Sequence, residues 1–300
     1  MNFPVKRLLI KGMEHMAQKM YVPEKTPENL RIIEDISYVQ DDLEEHKLDI
    51  IYPQIPANKY PVIINIHGGA FCMNSKNYIY RNYGIRLSGN KFAIVNINYR
   101  LSTTHVFPAQ ILDVIAAIKY ICKNADAYQL DTANIFLSGD SAGAYLASMI
   151  GAISCDKELQ EYYNWKPTIS IRAIASNCGL YDFETYMQKD VKFPMKKGIL
   201  EILFGTKDFT KTDSFSYSSV LNHVNENFPP IYIMDTQIRS FEKEALRMKE
   251  KIEANGIDYQ IHIYDKKYKL MHAFHVMSKY SQSTEVLNEM FAFFHKHLVM

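Results

Sequence analysis

The 300-residue sequence predicts an α/β fold in which helices cover both faces of a mostly parallel sheet. Short, nearly continuous apolar runs recur along the chain, as expected of strands that are buried on both faces. Segments with helical periodicity separate these runs. Regular alternation of this kind indicates parallel strands joined by helical crossovers.

The predicted strands begin with an antiparallel hairpin between Asp35 and Tyr52, because two β-like stretches flank the acidic turn at residues 41–45. The later strands are predicted from their apolar runs, at residues 61–66, 92–97, 134–137, 171–175, 231–234 and 259–264.

The predicted helices lie between and after these runs. They cover residues 110–123, the small and apolar segment 141–153, a segment with Ser240 as N-cap and Asn255-Gly256 as its end, and about 283–297. Residues 1–20 mix charged and apolar side chains as an amphipathic helix does.

Residues 183–228 break the alternation. This stretch is rich in Tyr, Phe, Met, Lys and Asp and contains no run of the expected strand type. We interpret it as a small lid inserted into a single domain that spans residues 1–300. Its aromatic side chains, including Phe193, Phe204 and Phe209, could wall an apolar pocket, although such sets more often form core.

Composition excludes several classes of function. The 34 Lys and Arg residues nearly balance the 33 Asp and Glu residues, giving a net charge of +1, so no global field favours nucleic acid or anionic lipid. The four cysteines are scattered, without the spacing of a zinc site. We expect no metal and no organic cofactor. Neither a signal peptide nor a run of 18 apolar residues is present, so we expect a soluble, cytoplasmic protein without membrane insertion.

The strongest chemical signal is Gly139-Asp140-Ser141-Ala142-Gly143, which lies between a predicted strand and a small-residue helix. A serine on such a tight turn adopts a strained backbone, and glycines two positions away on each side allow the close approach of neighbouring segments. The helix N-terminus directs N–H groups towards any oxyanion formed there. Ser141 is therefore the candidate nucleophile.

A second signal, His67-Gly68-Gly69-Ala70-Phe71, directly follows a buried strand. Its glycines leave backbone N–H groups able to face a ligand. His67 itself is expected to organise the loop rather than to act as a base.

These motifs resemble the esterase and lipase branch of the α/β hydrolases, related to hormone-sensitive lipase and to bacterial ferulate and acetyl esterases. Asn98-Tyr99-Arg100-Leu101, Phe107-Pro108-Ala109-Gln110 and Met271-His272-Ala273-Phe274 extend the resemblance over most of the chain. It implies the α/β-hydrolase fold, with a mostly parallel eight-stranded sheet and a small helical lid.

The resemblance also implies the site residues. His272 stands where the family has its base, with His275 as a weaker rival, and the oxyanion hole falls on Gly68, Gly69, Ala70 and Ala142. The expected function is that of a serine carboxylesterase that hydrolyses small acyl esters through an acyl-enzyme. A small-molecule ester is the expected partner, and a homodimer is one possible assembly.

The triad acid departs from the family pattern, because Arg239 occupies the position of the family's Asp. Asp235 is the preferred substitute, with Glu242 and Asp182 as rivals; a Ser-His pair without an acid also stays open. Arg239 could bind an anionic substrate group, or be a solvated loop residue.

The missing acid motivates an alternative, a non-catalytic small-molecule binder on this scaffold. An amide or formamide hydrolase is a further alternative.

Overall fold

The computed structural model describes residues 3–19, 21–189 and 195–299. Its sheet contains eight strands, in chain order β1 (Ile32–Ser37), β2 (Lys47–Ile51), β3 (Tyr60–Ile66), β4 (Ala93–Ile97), β5 (Leu130–Asp140), β6 (Ile171–Asn177), β7 (Ile231–Thr236) and β8 (Tyr259–Tyr264).

The strand order across the sheet is β1-β2-β4-β3-β5-β6-β7-β8. The hairpin β1-β2 is antiparallel and so is its pairing with β4, whereas all pairs from β4 to β8 are parallel. The predicted α/β-hydrolase fold with a mostly parallel eight-stranded sheet is therefore confirmed.

The α-helices of the described residues are α1 (Phe3–Lys19), α2 (Ile79–Leu87), α3 (Ala109–Lys123), α4 (Ala142–Cys155), α5 (Lys157–Tyr162), α6 (Phe183–Met187), α7 (Lys196–Phe204), α8 (Asp213–Ser216), α9 (Glu242–Ala254) and α10 (Ser281–Lys296). None of the helices in this part of the chain has the length and apolar character needed to cross a membrane.

One helix start was predicted wrongly. The N-cap of α9 is Phe241, not Ser240, whose hydroxyl instead contacts His272. The short helix α2 was not predicted, because its sequence IYRNYGIRL mixes apolar, charged and small residues without a long stripe.

The core lies on both faces of the sheet. Along β3, Val62, Ile64 and Ile66 join one apolar cluster with side chains of α3, α4 and α9, while Ile63 joins a second cluster with α2 and α10. All four side chains are fully buried. Each such burial stabilises the fold by about 1.5–3 kcal/mol, so β3 is fixed from both sides.

The segment 183–228 is helical where it is described, with α6, α7 and α8 and no sheet strand. Its residues 190–194, which include Phe193, lie outside the described residues.

A buried cation anchors the loop that follows β3. Lys76 is 2% exposed, and its Nζ lies 2.7 Å from Oδ1 of Asp35 and 2.8 Å from Oδ1 of Asp49. Burial raises the pKa of Asp49, while the hydrogen bond from Lys76 lowers the pKa of Asp35. Lys76 thus joins this loop to the antiparallel edge of the sheet.

We expect Lys76→Met to lower the free energy of unfolding by about 3 kcal/mol, because it leaves the buried Asp49 carboxylate without its cation. Urea unfolding measures the change. The control is Lys59→Met, which breaks the exposed pair with Asp126 and should leave the urea midpoint unchanged. Equal midpoints for the two variants would contradict the anchoring role.

Candidate active site

The predicted nucleophile lies on a tight turn between β5 and α4. Ser141 has φ 53° and ψ −116°, a left-handed backbone that costs a non-glycine residue about 1–3 kcal/mol. Its N–H donates to the carbonyl oxygen of Asn177 at 3.0 Å, which ties the turn to the end of β6. This strained turn presents the serine at the carboxyl edge of the sheet, where ligands bind in such folds.

The two motif glycines are required by close backbone contacts. A Cβ added at Gly143 would lie 2.0 Å from the carbonyl oxygen of Ile66, at the end of β3. A Cβ added at Gly139 would lie 2.4 Å from the backbone of Gly143. The first turn of α4 is therefore packed directly against the strand that leads into the second motif.

The second motif forms a loop of consecutive left-handed residues. Gly69 has φ 127°, Ala70 has φ 51° and Phe71 has φ 62°. The carbonyl of Gly69 accepts the N–H groups of Cys72 and Met73, which closes the loop. Within the described chain, the N–H groups of Gly69 and Ala70 donate to no backbone carbonyl, so they can serve an oxyanion.

Gly68 differs from the other predicted oxyanion donors. Its N–H already donates to the Tyr80 hydroxyl at 2.9 Å and to Oδ1 of Asp140 at 3.1 Å. The Gly68 amide is thus occupied within the protein, and Gly69, Ala70 and Ala142 are left as candidates. Ala142 is the first residue of α4, where helical N–H groups have no intrahelical acceptor.

Asp140, the residue before the serine, joins the two motifs. Its carboxyl accepts the Tyr80 hydroxyl at 2.9 Å as well as the Gly68 amide. Burial raises its pKa to about 7 although both hydrogen bonds oppose this rise. Tyr80 was not predicted from the sequence, since α2 carries no recognisable motif.

His67 is buried and supports the loop, as expected. Its ring stacks on Tyr99 at 4.2 Å between centroids, and its Nδ1 lies 2.8 Å from the Gly68 carbonyl oxygen. Burial lowers its pKa to about 4. The imidazole is therefore neutral at physiological pH and packed within the fold.

Ser141 and His272 line one cavity of about 300 Å³. Gly69, Ala70 and Ala273 contribute to its wall. The apolar part of the lining includes Ile10 of α1 and Ile199 and Ile202 of α7. The candidate nucleophile, base and oxyanion loop thus meet at a mostly apolar cavity.

His272 follows β8, and its ring packs edge-on against Phe241, with 4.8 Å between centroids. Burial lowers its pKa to about 4, so it is neutral and able to accept a proton near pH 7. The rival His275 does not line the cavity and packs against Tyr83, with its pKa lowered to about 3 by burial.

Among the described residues, the hydrogen-bond partner that the structure gives Nδ1 of His272 is the Ser240 hydroxyl, at 2.9 Å, whereas the sequence predicted Asp235 as the acid there. Asp235, the preferred acid, lies fully buried behind Ser240, and its Oδ1 accepts the Thr236 N–H at 2.7 Å.

The two rival acids are used elsewhere. Glu242 accepts the side-chain amide of Gln237 at 2.9 Å, in the first turn of α9. Asp182 caps α6 by accepting the N–H of Thr185 at 2.7 Å. Arg239 is exposed, has φ 49°, and is not among the residues that line the cavity.

Two clusters of potential metal ligands occur among the described residues, and neither lines the cavity. One comprises Asp156, Glu158 and His223, and the other comprises His262, Glu285 and Glu289. The groups at the cavity include the Ser141 hydroxyl, the His272 imidazole and the backbone amides of Gly69 and Ala70, and the side chains of Cys72, Asn74, Tyr80 and Asp140 also line it.

This chain matches a protein-family model and is similar in sequence to proteins with esterase names. The BD-FAE family model matches residues 48–239. Esterase LipQ of Mycobacterium tuberculosis is 27% identical over 179 residues, which are 60% of this chain and 42% of that protein. Probable carboxylesterase 6 of Arabidopsis thaliana is 37% identical over 101 residues, 32% of this chain and 30% of that protein. The matches thus span less than half the length of these relatives.

Among solved structures, inhibited esterase B from Lactobacillus rhamnosis has a TM-score of 0.86 at 24% identity, covering 98% of this chain and 96% of that chain. A truncated carbohydrate esterase from gut microbiota has a TM-score of 0.76 at 22% identity, covering 92% and 99%. At these identities the likeness establishes a shared fold.

We expect Gly143→Ala to lower the free energy of unfolding by about 1–3 kcal/mol, because the new methyl group meets the rigid backbone of β3. Gly12→Ala is the matched control, since nothing lies within 4 Å of an added Cβ there and alanine favours the helix. Urea unfolding of both variants tests this. A Gly143→Ala variant as stable as wild type would show that the packed turn can relax.

Proposed function

The chain belongs to the BD-FAE family of α/β-hydrolase esterases, and from this membership and the site geometry we propose that it is a serine carboxylesterase acting on small acyl esters. The observation that carries the proposal is the cavity shared by Ser141, His272 and Ala70. A nucleophile, a base and backbone amides around one cavity are the parts that acyl transfer requires.

In the proposed reaction, Ser141 Oγ attacks the ester carbonyl while Nε2 of His272 takes its proton. The N–H groups of Gly69, Ala70 and Ala142 stabilise the tetrahedral oxyanion. The imidazolium then protonates the leaving alcohol, which leaves an acyl-enzyme on Ser141. Water activated by His272 releases the acid and regenerates the serine.

The cavity supports an apolar substrate group of modest size. Its volume of about 300 Å³ and its wall of Ile10, Ile199 and Ile202 suit a short acyl or alkyl chain. A second cavity, lined by Ala142, Tyr186 and Phe241, has a volume of only about 10 Å³. We therefore assign the apolar chain to the larger space.

We also propose that residues 183–228 act as the lid of a single domain. Two isoleucines of α7, which lies in this segment, form part of the cavity wall, and this supports the proposal. The cytoplasmic location and the homodimer stay predictions from the sequence.

The non-catalytic binder is the less favoured alternative, since the relatives reported above carry esterase or carboxylesterase names. The intact Ser141, His272 and oxyanion loop also support catalysis over binding alone. Hydrolysis of amides or formamides would use the same catalytic groups. It therefore stays an alternative that differs only in the substrate.

We expect Ser141→Ala to lower kcat for p-nitrophenyl butyrate by at least about 10⁴-fold, because it removes the attacking oxygen. A fluorophosphonate probe should label wild type and fail to label this variant. Ser154→Ala, in the last turn of the same helix α4, is the control and should behave as wild type. Wild-type protein that neither labels nor hydrolyses esters would favour the binder.

We expect Ile202→Trp to lower kcat/KM for p-nitrophenyl butyrate relative to the acetate by roughly tenfold, because a larger side chain fills the cavity needed by the longer chain. The control is Leu246→Trp on the exposed face of α9, which should leave the butyrate-to-acetate ratio unchanged. Thermal unfolding shows whether each variant is folded. An unchanged ratio in folded Ile202→Trp would place the acyl chain elsewhere.

A further inference from the structure

The region that should hold the triad acid contains a left-handed turn at an arginine. Arg239 has φ 49° and an exposed side chain, so its guanidinium points away from the core. The next residue, Ser240, then faces His272, with its Oγ 2.9 Å from Nδ1. The backbone therefore presents a hydroxyl where the family has a carboxylate.

We propose that Ser240 is a positioning residue that takes the place of the triad acid at His272 and transmits the negative charge of the buried Asp235 to the imidazole. The order of groups is then Ser141, His272, Ser240 and Asp235. This inference rests on the proposed esterase function and deepens it.

The direction of the hydrogen bonds follows from the chemistry. For Nε2 of His272 to accept the proton of Ser141, the ring must carry its own hydrogen on Nδ1. Nδ1–H then donates to Ser240 Oγ, which uses a lone pair. The single hydroxyl hydrogen of Ser240 is left to donate to another acceptor.

The Cys178 thiol and the Asp235 carboxyl both lie within hydrogen-bonding reach of the Ser240 hydroxyl, and Asp235 is the acceptor that can carry a negative charge. Its side chain is fully buried, and Ser240 and the N–H of Phe241 lie close enough to lower its pKa by hydrogen bonding. Its Oδ2 has no hydrogen-bond partner among the described residues and is open to the Ser240 hydroxyl. When Ser141 is deprotonated, the proton stays on Nε2, and Asp235 offsets the imidazolium charge without accepting a proton.

The ionisation of Asp235 should make kcat/KM depend on pH. The titratable groups that face it are Cys178 and Tyr181 after β6, Glu242 of α9, and His272 beyond Ser240. Burial and, to a smaller extent, the charge of Glu242 raise the Asp235 pKa to about 7, although hydrogen bonds from Ser240, Thr236 and Phe241 oppose this rise. Only the ionised carboxylate supplies charge, so kcat/KM should increase as pH increases through about 7 and decrease below it.

The experiment compares Ser240→Ala, Ser240→Thr and Asp235→Asn by steady-state kinetics over pH 4–9, with p-nitrophenyl butyrate as the substrate. We expect Ser240→Ala to lower kcat about 100-fold with little change in KM, because Nδ1–H of His272 loses the hydroxyl oxygen that accepts its hydrogen bond. Ser240→Thr, which keeps the hydroxyl, should restore most of kcat.

Asp235→Asn should move the acidic limb of the kcat/KM profile from near pH 7 towards the pKa of about 4 of His272. The double variant Ser240→Ala with Asp235→Asn should be no slower than Ser240→Ala alone, since both changes break one chain of contacts. Glu242→Gln is the control and should keep wild-type kcat at the alkaline end of the range, where Asp235 is ionised with or without the charge of Glu242.

The outcomes separate this inference from the proposed function. If fluorophosphonate labels Ser141 and Ser240→Ala keeps kcat within threefold of wild type, the inference is wrong and the esterase proposal stands. An acidic limb that Asp235→Asn leaves in place overturns it equally, even if Ser240→Ala does not fold. Wild-type protein without labelling or turnover overturns both.

Discussion

The contact between the first turn of α4 and the end of β3 is the constraint on which the site depends. Gly143 lies so close to the carbonyl oxygen of Ile66 that no side chain fits between them. This contact fixes Ser141 in its left-handed conformation and sets the first N–H groups of α4 beside the loop that follows β3. The strain at the serine is offset by the apolar burial of β3 on both faces.

The oxyanion loop and the nucleophile turn are held together by a buried carboxyl. Asp140 receives hydrogen bonds from the Gly68 amide and from Tyr80, which links β5, the loop and α2. His67 stacked on Tyr99 supports the same loop from within the fold. The two sources of backbone N–H donors therefore keep one relative position, and electrostatic stabilisation of a transition state depends on such preorganisation.

Much of this could be predicted from the sequence, because the signals are local. Strands that are buried on both faces have continuous apolar sequences. The glycines on each side of Ser141 indicate that the backbone is closely packed there. The neighbour of Nδ1 could not be predicted in this way. It depends on a left-handed turn at Arg239, which no residue pattern indicates, and Ser240 in front of α9 has the features of a helix N-cap. Tyr80 was missed because its partner Asp140 is distant in sequence.

The cavity wall and the reactive groups come from different parts of the chain. Ile10 belongs to α1 and Ile202 to α7, two helices outside the sheet layers, whereas Ser141 and Ala70 lie at strand ends. Substitutions in these helices can reshape the cavity without disturbing the glycine contacts beneath the serine. Substrate preference can therefore diverge during evolution at little cost in foldability, and these helices are the natural positions for libraries in directed evolution.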